Sequence, residues 1–282
     1  MNDVQKVIFN TFLEVSKVLS ENNIVYYANG GTCLGAVRHK GFIPWDDDID
    51  ITIKIEDYDK ARDLLAKELP DYYSIRSFDS NKHYANVFFK VVDERTTCIE
   101  RIDYKYKDAY KGCFIDIMPI SGMPDGKARR DWFCKKINIL RILGEMRIYG
   151  ADVLDRGWKK ILYPFLKPIF VCVPPDYFCR KWLDLLKKYP FEKCNYTGYV
   201  WWFDVARLVY KREVFGKPTP LPFESAVMYC PEKWDELLKQ QFGDYMTLPP
   251  EDKRKPMHVG TLDLKHSYHD YASGKYPLHT ER

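Results

Sequence analysis

The segment from Ile43 to Ile55 constrains the fold more than any other part of this sequence. Four aspartates lie close together in it, and an alternation of apolar and polar residues follows them. The aspartates are Asp46, Asp47, Asp48 and Asp50, and the apolar series is Ile49, Ile51, Ile53 and Ile55. Because successive side chains of a β-strand face opposite sides, the isoleucines would share a buried face and Asp48 and Asp50 the other face. The strand rise separates such alternate residues by about 7 Å. Carboxylates this close repel each other unless a cation or a proton lies between them, and Mg²⁺ prefers such oxygen ligands.

A third acid lies in a later apolar segment, Phe114 to Met118, which we predict to be a strand that ends at Pro119. In that strand Ile115 and Ile117 would point inward and Asp116 would lie on the open side. If the two strands are neighbours, three carboxylates can hold one or two Mg²⁺ or Mn²⁺ ions, as phosphoryl transfer requires. We therefore predict that Asp48, Asp50 and Asp116 are catalytic metal ligands, with Asp116 or another site carboxylate as the base. The alternatives are a capped strand end for Asp116 and a solvated acidic loop or a calcium-type site for the other two.

Phosphate-binding candidates flank the acids on both sides in the sequence. Glycine-rich turns that open a helix present backbone N–H groups to anions, and basic side chains neutralise phosphate charge. The candidates are Gly30, Gly31, Thr32, Arg38, His39, Lys40 and Lys90. Lys90 lies within an apolar strand pattern, so it needs either a carboxylate or a phosphate as its partner. The alternatives are a plain strand-to-helix turn at the glycines and an exposed basic loop at residues 38–40.

The periodicity of the chain predicts an α+β fold. Residues 3–22 have the apolar spacing of a helix, and further helices are predicted at 32–38 and from Asp57 to about Pro70. Strands are predicted at 24–28, 48–55, 72–78, 84–92 and 114–118. From residue 127 onward the pattern is mostly helical. We predict a mixed-sheet catalytic core at residues 1–125 and a mainly helical region at residues 126–282 that packs on it.

Charge and composition restrict the possible partners. The net charge of +4 is too small to suggest a nucleic-acid-binding protein. Residues 127–188 hold 15 Lys and Arg against 6 Asp and Glu, a balance of +9, so these helices could lie on a membrane or an anionic partner, or form an ordinary solvated surface. The eight cysteines form no CxxC pair, and the N-terminus has no pattern of a secretion signal. These features favour free thiols in the cytoplasm.

The segment Gly30 to Asp50, with its Gly-Gly-Thr turn and its Ile-Pro-Trp-Asp-Asp-Asp-Ile-Asp run, resembles the signature of the LicD family. This family comprises bacterial phosphocholine transferases, and the animal fukutin-related proteins are similar to it. The Ile115-Asp116-Ile117 sequence matches the later acid of its nucleotidyltransferase fold. Blocks at 213–215, 221–224 and 242–250 resemble later parts of the family, so the resemblance runs from about residue 20 to 256 with a weak middle at 126–195.

The resemblance implies metal-dependent transfer of a phospho-alcohol, phosphocholine from CDP-choline above all, with release of CMP. The acceptor would be a hydroxyl of a cell-surface glycan, such as lipopolysaccharide or teichoic acid, or of its lipid-linked precursor. The enzyme would then work in the cytoplasm, at the inner face of the membrane. One alternative is a nucleotidyltransferase that moves a nucleoside monophosphate from an NTP to a small molecule. The other is a non-catalytic scaffold, which the presence of all three acids disfavours.

Two further groups of residues are candidates for ligand binding. Aromatic faces bind quaternary ammonium groups such as choline, and the candidates for this role are Trp45, Tyr199, Trp201, Trp202 and Phe203, which could equally be core residues. Fukutin-related proteins carry a zinc-binding insertion in their middle. Cys172, Cys179 and Cys194, with Cys230 or a histidine, could bind zinc here, although their loose spacing also fits buried thiols.

Overall fold

The computed structural model describes residues 1–150, 157–201, 204–256 and 260–278. Its helices are α1 (Asp3–Glu21), α2 (Gly30–His39), α3 (Ile55–Glu68), α4 (Lys127–Tyr149), α5 (Gly157–Val171), α6 (Tyr177–Lys187), α7 (Trp234–Phe242) and α8 (Tyr268–Ala272). Its strands are β1 (Tyr26–Ala28), β2 (Asp50–Lys54), β3 (Tyr73–Arg76), β4 (Phe89–Asp93), β5 (Thr97–Glu100), β6 (Phe114–Met123), β7 (Tyr196–Gly198), β8 (Val209–Lys211), β9 (Thr219–Phe223), β10 (Ala226–Cys230) and β11 (Gly260–Asp263). The predicted α+β class is confirmed.

The main sheet is mixed and has the strand order β1-β2-β6-β4-β3. Strands β2 and β6 at its centre are parallel, whereas the other pairs are antiparallel. Strands β7 and β8 extend the sheet from the far end of β6. The sheet therefore draws strands from both sides of residue 125, and the domain division that we expect there stays a prediction.

Helix α1 forms where the apolar spacing predicted it. Asn2 and Gln5 make a reciprocal capping box at its start, which satisfies two backbone N–H groups that would otherwise lack partners. Phe12, Val15 and Leu19 are fully buried. This apolar face packs on α3 and on the sheet, in the same continuous core that contains buried residues of β9, β10 and α7.

The isoleucine alternation is also confirmed, because Ile49, Ile51 and Ile53 are all fully buried. The strand itself is shorter than predicted: β2 begins only at Asp50, and α3 begins directly after it at Ile55. Asp48 thus lies in the loop that leads into β2, although the alternation of burial begins before the strand does.

The prediction that the Asp116 strand ends at Pro119 is wrong, because β6 continues to Met123. The Asp116 N–H donates to the Ile49 carbonyl beside it, and N–H groups alternate in direction along a strand, so the Pro119 nitrogen faces the opposite edge. On that edge, β4 pairs with β6 only as far as Ile117, and β7 pairs with it only from Ser121. The missing N–H of Pro119 therefore falls in a gap between two partner strands, where it costs no ladder hydrogen bond.

The strand predicted at 84–92 starts later, at Phe89. Its pairing with β6 begins at Phe89, and its pairing with β3 begins at Lys90. Because residues 84–88 have no partner strand on either side, their alternation of apolar and polar side chains is not enough to make them extend the ladder. They form an irregular segment beside the acids.

Candidate active site

The sheet brings two of the three predicted acids directly together. Asp50, the first residue of β2, is the register partner of Asp116 on the adjacent parallel strand β6. The Asp50 carbonyl accepts a hydrogen bond of 3.0 Å from the Asn29 backbone, which fixes this end of β2 beside the start of α2. Asp48 precedes Asp50 by two residues and lies in the loop that enters the strand. The adjacency that we predicted for the two acidic strands is therefore confirmed.

The carboxylates of this cluster act on one another electrostatically. Burial raises the pKa of Asp50 well above its ordinary value, and the negative charges of Asp48 and Asp116 raise this pKa further, whereas the Lys90 ammonium acts in the opposite direction. The repulsion is what a bound cation would relieve. By charge and by donor type, these three residues fit a hard divalent ion such as Mg²⁺.

Lys90 forms a buried ion pair with Asp116. Its ammonium donates hydrogen bonds of 2.6 and 2.8 Å to the two carboxylate oxygens, across the register pair of β4 and β6. Both residues are only 7% exposed, and the same ammonium lies 3.6 Å from the centre of the Phe114 ring. The required partner of Lys90 is thus a carboxylate.

In the described part of the chain, no three His, Cys, Asp or Glu side chains are arranged as a ready metal site.

Gly30, Gly31 and Thr32 form the first turn of α2, so the helix begins at Gly30 and not at Thr32 as predicted. The Thr32 hydroxyl accepts a hydrogen bond of 2.8 Å from the Asp50 backbone N–H. A Cβ added at Gly31 would lie 2.6 Å from a carboxylate oxygen of Asp46, so the missing side chain lets the acidic loop approach the helix. This turn therefore places the loop against the helix N-terminus.

Arg38, His39 and Lys40 lie at the C-terminal end of α2, opposite to its Gly-Gly-Thr turn. The ten residues of this helix span about 15 Å. The Arg38 guanidinium donates 2.6 and 3.0 Å hydrogen bonds to the Tyr245 carbonyl and to the His39 ring. The phosphate-binding role of these three residues stays a prediction, and the His39 ring lies 6.3 Å from the ring of Trp45, the residue before Asp46.

Gln5, which the sequence did not single out, and Glu224 both bond to the segment that carries the acids. The side-chain amide of Gln5 in α1 donates hydrogen bonds to the carbonyls of Ile43 and Asp46, at 3.2 and 2.9 Å. Glu224 accepts the Phe42 N–H at 3.1 Å. A buried glutamine on the apolar face of a helix was the available signal for Gln5.

A cavity of about 390 Å³ opens beside Asp48 and Asp50. Its lining includes Gly30 and Gly31 at the start of α2, and also three cationic side chains that sequence reasoning missed, Arg207, Lys253 and Lys255. The predicted aromatic residues Trp45, Tyr199 and Trp201 line it too, whereas Trp202 and Phe203 lie outside the described residues. The cavity thus combines acids, cations and aromatic faces.

The cysteines proposed for zinc are not brought together. Cys179 is buried in α6 beneath Gly144 of α4, Cys194 lies against Gly122 of β6, and Cys172 is exposed. Cys230 instead neighbours Cys33. The described residues therefore offer no support for a zinc site at these positions.

Comparison with known proteins matches residues 23–133 to the LicD/FKTN/FKRP nucleotidyltransferase domain. The lipopolysaccharide cholinephosphotransferase LicD of Haemophilus influenzae is 28% identical over 265 residues, which cover 90% of this chain and 95% of that protein. The ribitol 5-phosphate transferase FKRP of mouse and of human is 36% identical over 74 residues, which cover 26% of this chain and 15% of FKRP. The matched range contains the three acids, Lys90 and the first turn of α2. Residues 23–133 of this chain therefore match the LicD/FKTN/FKRP nucleotidyltransferase domain, and the chain is similar to LicD over most of its length.

Proposed function

We propose that this protein transfers a phospho-alcohol, phosphocholine from CDP-choline in the first place, to a hydroxyl of a cell-surface glycan or its lipid-linked precursor, with release of CMP. The observation that carries the proposal is the pairing of Asp50 with Asp116 beside a cavity lined by cations and aromatic rings. Its two named kinds of relative, a cholinephosphotransferase and a ribitol 5-phosphate transferase, both move a phospho-alcohol.

The cavity beside Asp48 and Asp50 suits the donor. Arg207, Lys253 and Lys255 supply positive charge for a diphosphate, and the N-terminus of α2 adds backbone N–H groups. Trp45 and Trp201 supply aromatic faces, which attract a quaternary ammonium, whereas Tyr199 is only 1% exposed and belongs to the core. The rings of Tyr199 and Trp201 lie 5.6 Å apart. A CDP-alcohol has both chemical parts, a diphosphate and an alcohol substituent.

Asp48, Asp50 and Asp116 would hold Mg²⁺ or Mn²⁺, and a bound ion would offset the negative charge that keeps an alcohol away from phosphorus. Two hydrogen bonds hold these acids in position: the Thr32 hydroxyl fixes the Asp50 backbone, and the Lys90 ammonium fixes the Asp116 carboxylate. In the reaction, the acceptor oxygen forms a bond to the transferred phosphorus and the phosphorus–oxygen bond to CMP breaks. The acceptor's proton passes to a carboxylate of the cluster.

A donor screen tests the proposal. The protein is incubated with Mg²⁺ and CDP-choline, CDP-ethanolamine, CDP-glycerol or CDP-ribitol, with water as the acceptor that takes the phospho-alcohol, and CMP is measured by chromatography. We expect CMP from one of these donors and no release in EDTA. Pyrophosphate from an NTP, with no CMP from any CDP-alcohol, would instead support the nucleotidyltransferase alternative.

In the same screen, the double substitution Lys253→Ala/Lys255→Ala is expected to raise the KM for the donor about tenfold or more, because it removes two charge-assisted contacts to the diphosphate. The matched control is Lys265→Ala, an exposed lysine outside the cavity. The cavity assignment is wrong if the double variant keeps the wild-type KM for the donor.

Membrane contact is part of the proposal, and α5 is the surface that we assign to it. Ile161, Phe165 and Ile169 recur every four residues and are 71%, 74% and 57% exposed, and Val171 is 75% exposed. The opposite face of the helix packs through Phe170 into a small core with α4 and α6. The surrounding segment carries the +9 charge, so an anionic lipid surface is its complementary partner. None of the described helices is both long and apolar enough to cross a bilayer.

Vesicle flotation tests this surface. We expect the protein to float with vesicles that contain phosphatidylglycerol, and Phe165→Glu/Ile169→Glu to weaken binding about tenfold or more, because it removes apolar burial and adds repulsion. Val227→Glu/Leu262→Glu, at similarly apolar positions that are 48% and 42% exposed elsewhere, is the control. Equal flotation of both variants, or none of the wild type, would remove α5 from the proposal.

A further inference from the structure

A second cavity, of about 340 Å³, opens on the other side of the acid cluster. Asp116 and Lys90 line it, whereas Asp48 and Asp50 line the first cavity. Because Asp50 and Asp116 are register partners on adjacent strands, the two cavities meet at the carboxylates. A transferase must bring two substrates to the same reacting atoms, and two cavities that meet at the acids would let the donor and the acceptor bind at the same time.

We infer that the second cavity is the acceptor site and that it binds a neutral sugar or polyol through Tyr84 and Asn86. The inference rests on the proposed function, and it assigns the substrate of the second cavity, which the similarity to known proteins leaves open. It follows from the charges, the unused hydrogen-bonding groups and the aromatic rings of the cavity wall.

The buried charges in this wall are already paired. The Lys111 ammonium lies 2.6 Å from a Glu100 oxygen and 2.5 Å from an Asp103 oxygen, and Lys90 is paired with Asp116. An anionic ligand such as a diphosphate would have to compete with these carboxylates for the two cations. Arg76 also lines the cavity, where its guanidinium donates to the Asp108 carbonyl and lies 4.8 Å from the centre of the Tyr268 ring. A neutral ligand disturbs none of these contacts, so the wall favours a neutral acceptor over the charged donor.

The wall also contains polar groups with unused hydrogen-bonding capacity. The Tyr84 hydroxyl is buried and has no hydrogen-bond partner among the described residues. The Asn86 side chain also lines the cavity, and it makes no side-chain hydrogen bond within the described part of the chain. Buried polar groups normally have partners, and sugar hydroxyls, which both donate and accept, can supply them. Both residues belong to the irregular segment that precedes β4.

Aromatic rings give the second cavity an apolar surface for a sugar, and they also separate the two cavities. The Phe88 ring lines the second cavity and lies edge-on to Tyr84, with 5.8 Å between ring centres. Phe88 also contacts Trp201, which lines the donor cavity, at 6.2 Å. The Phe88–Trp201 pair thus stands between the two cavities, and its Phe88 side offers an apolar ring to the C–H face of a sugar.

Glycoside binding without donor tests the inference. The probes are methyl β-galactoside, methyl α-glucoside and methyl N-acetyl-β-glucosaminide, and affinity is measured by saturation-transfer NMR. We expect millimolar binding of at least one glycoside, and affinities about five- to tenfold weaker in Tyr84→Phe and in Asn86→Ala, since each loses one hydrogen bond. Tyr84→Phe should fold, because it removes a buried hydroxyl that has no partner among the described residues. Thermal unfolding checks the fold of both variants.

The donor reaction supplies the matched control. In hydrolysis of the donor, where water replaces the acceptor, Lys253→Ala/Lys255→Ala should lower CMP release and leave glycoside affinity unchanged, whereas Lys265→Ala should change neither. The inference is overturned if no glycoside binds the wild type, or if the Tyr84 and Asn86 variants weaken the donor and not the glycoside. Absence of CMP from every CDP-alcohol would refute the proposed function instead, and the donor-free NMR result would still decide what the second cavity binds.

Discussion

The double variant Asp48→Asn/Asp50→Asn is expected to lose transfer activity and, without metal, to be more stable than the wild type. Activity should fall by about a thousandfold or more, because the ligands of an ion that contributes several kcal/mol to the transition state are lost. Stability should rise because the half-buried Asp50 is repelled by Asp48 and Asp116, and asparagine removes that repulsion. A catalytic role and a structural role thus predict opposite changes in stability for the same substitution.

The raised pKa of Asp50 also determines whether the stability of the protein rises or falls with pH. The pKa of Asp50 is raised in the folded protein, so the folded state binds more protons than the unfolded state. The stability of the metal-free wild type should therefore fall as the pH rises above the ordinary carboxyl pKa, and the slope should be smaller in the variant. Thermal unfolding in EDTA at pH 5 and pH 8 measures this. Added Mg²⁺ should raise the melting temperature of the wild type and not that of the variant.

The control for this experiment is Asp71→Asn, an exposed acid in the turn before β3. It should leave activity, the pH slope and the response to Mg²⁺ unchanged. If Asp48→Asn/Asp50→Asn kept its turnover, or still gained stability from Mg²⁺, the assignment of these acids as metal ligands would be wrong.

The parts of the site that were predictable from sequence are those set by local periodicity. Ile49, Ile51 and Ile53 are buried because strand alternation fixes the face of each residue. The same rule places Ile115 and Ile117 in the core and Asp116 on the other side of β6. The pairing of Asp50 with Asp116 needed the family resemblance as well, because alternation gives the face of a residue and not its neighbouring strand.

The parts that were not predictable depend on which distant segments meet. Lys253 and Lys255 lie more than two hundred residues from Gly30 in the sequence and reach the same cavity only through tertiary packing. Pro119 is tolerated within β6 because of where β4 and β7 end, which the β6 sequence does not contain. Arg38 lies in the last turn of α2, at the opposite end of the helix from Gly30, and its role at the site stays a prediction.

The substitution Lys90→Met is expected to destabilise the protein by about 3–5 kcal/mol, because it leaves the Asp116 carboxylate buried without its counter-ion. The double variant Lys90→Met/Asp116→Leu should regain most of that stability, since apolar side chains of similar size can replace a buried ion pair. Urea unfolding monitored by tryptophan fluorescence gives the free energies of unfolding. Lys127→Met, which breaks an ion pair whose side chains are 84% and 56% exposed, should change little.

The activity of these variants distinguishes the two possible roles of Asp116. If Asp116 is a metal ligand or the base, the double variant is stable and inactive, because the carboxylate that contributes to the chemistry is absent while the fold is intact. If the ion pair served only to hold β4 to β6, restoring stability would restore CMP release as well. Recovery of activity together with stability would therefore exclude Asp116 from the catalytic cluster, and it would also remove the point at which the donor and acceptor cavities are expected to meet.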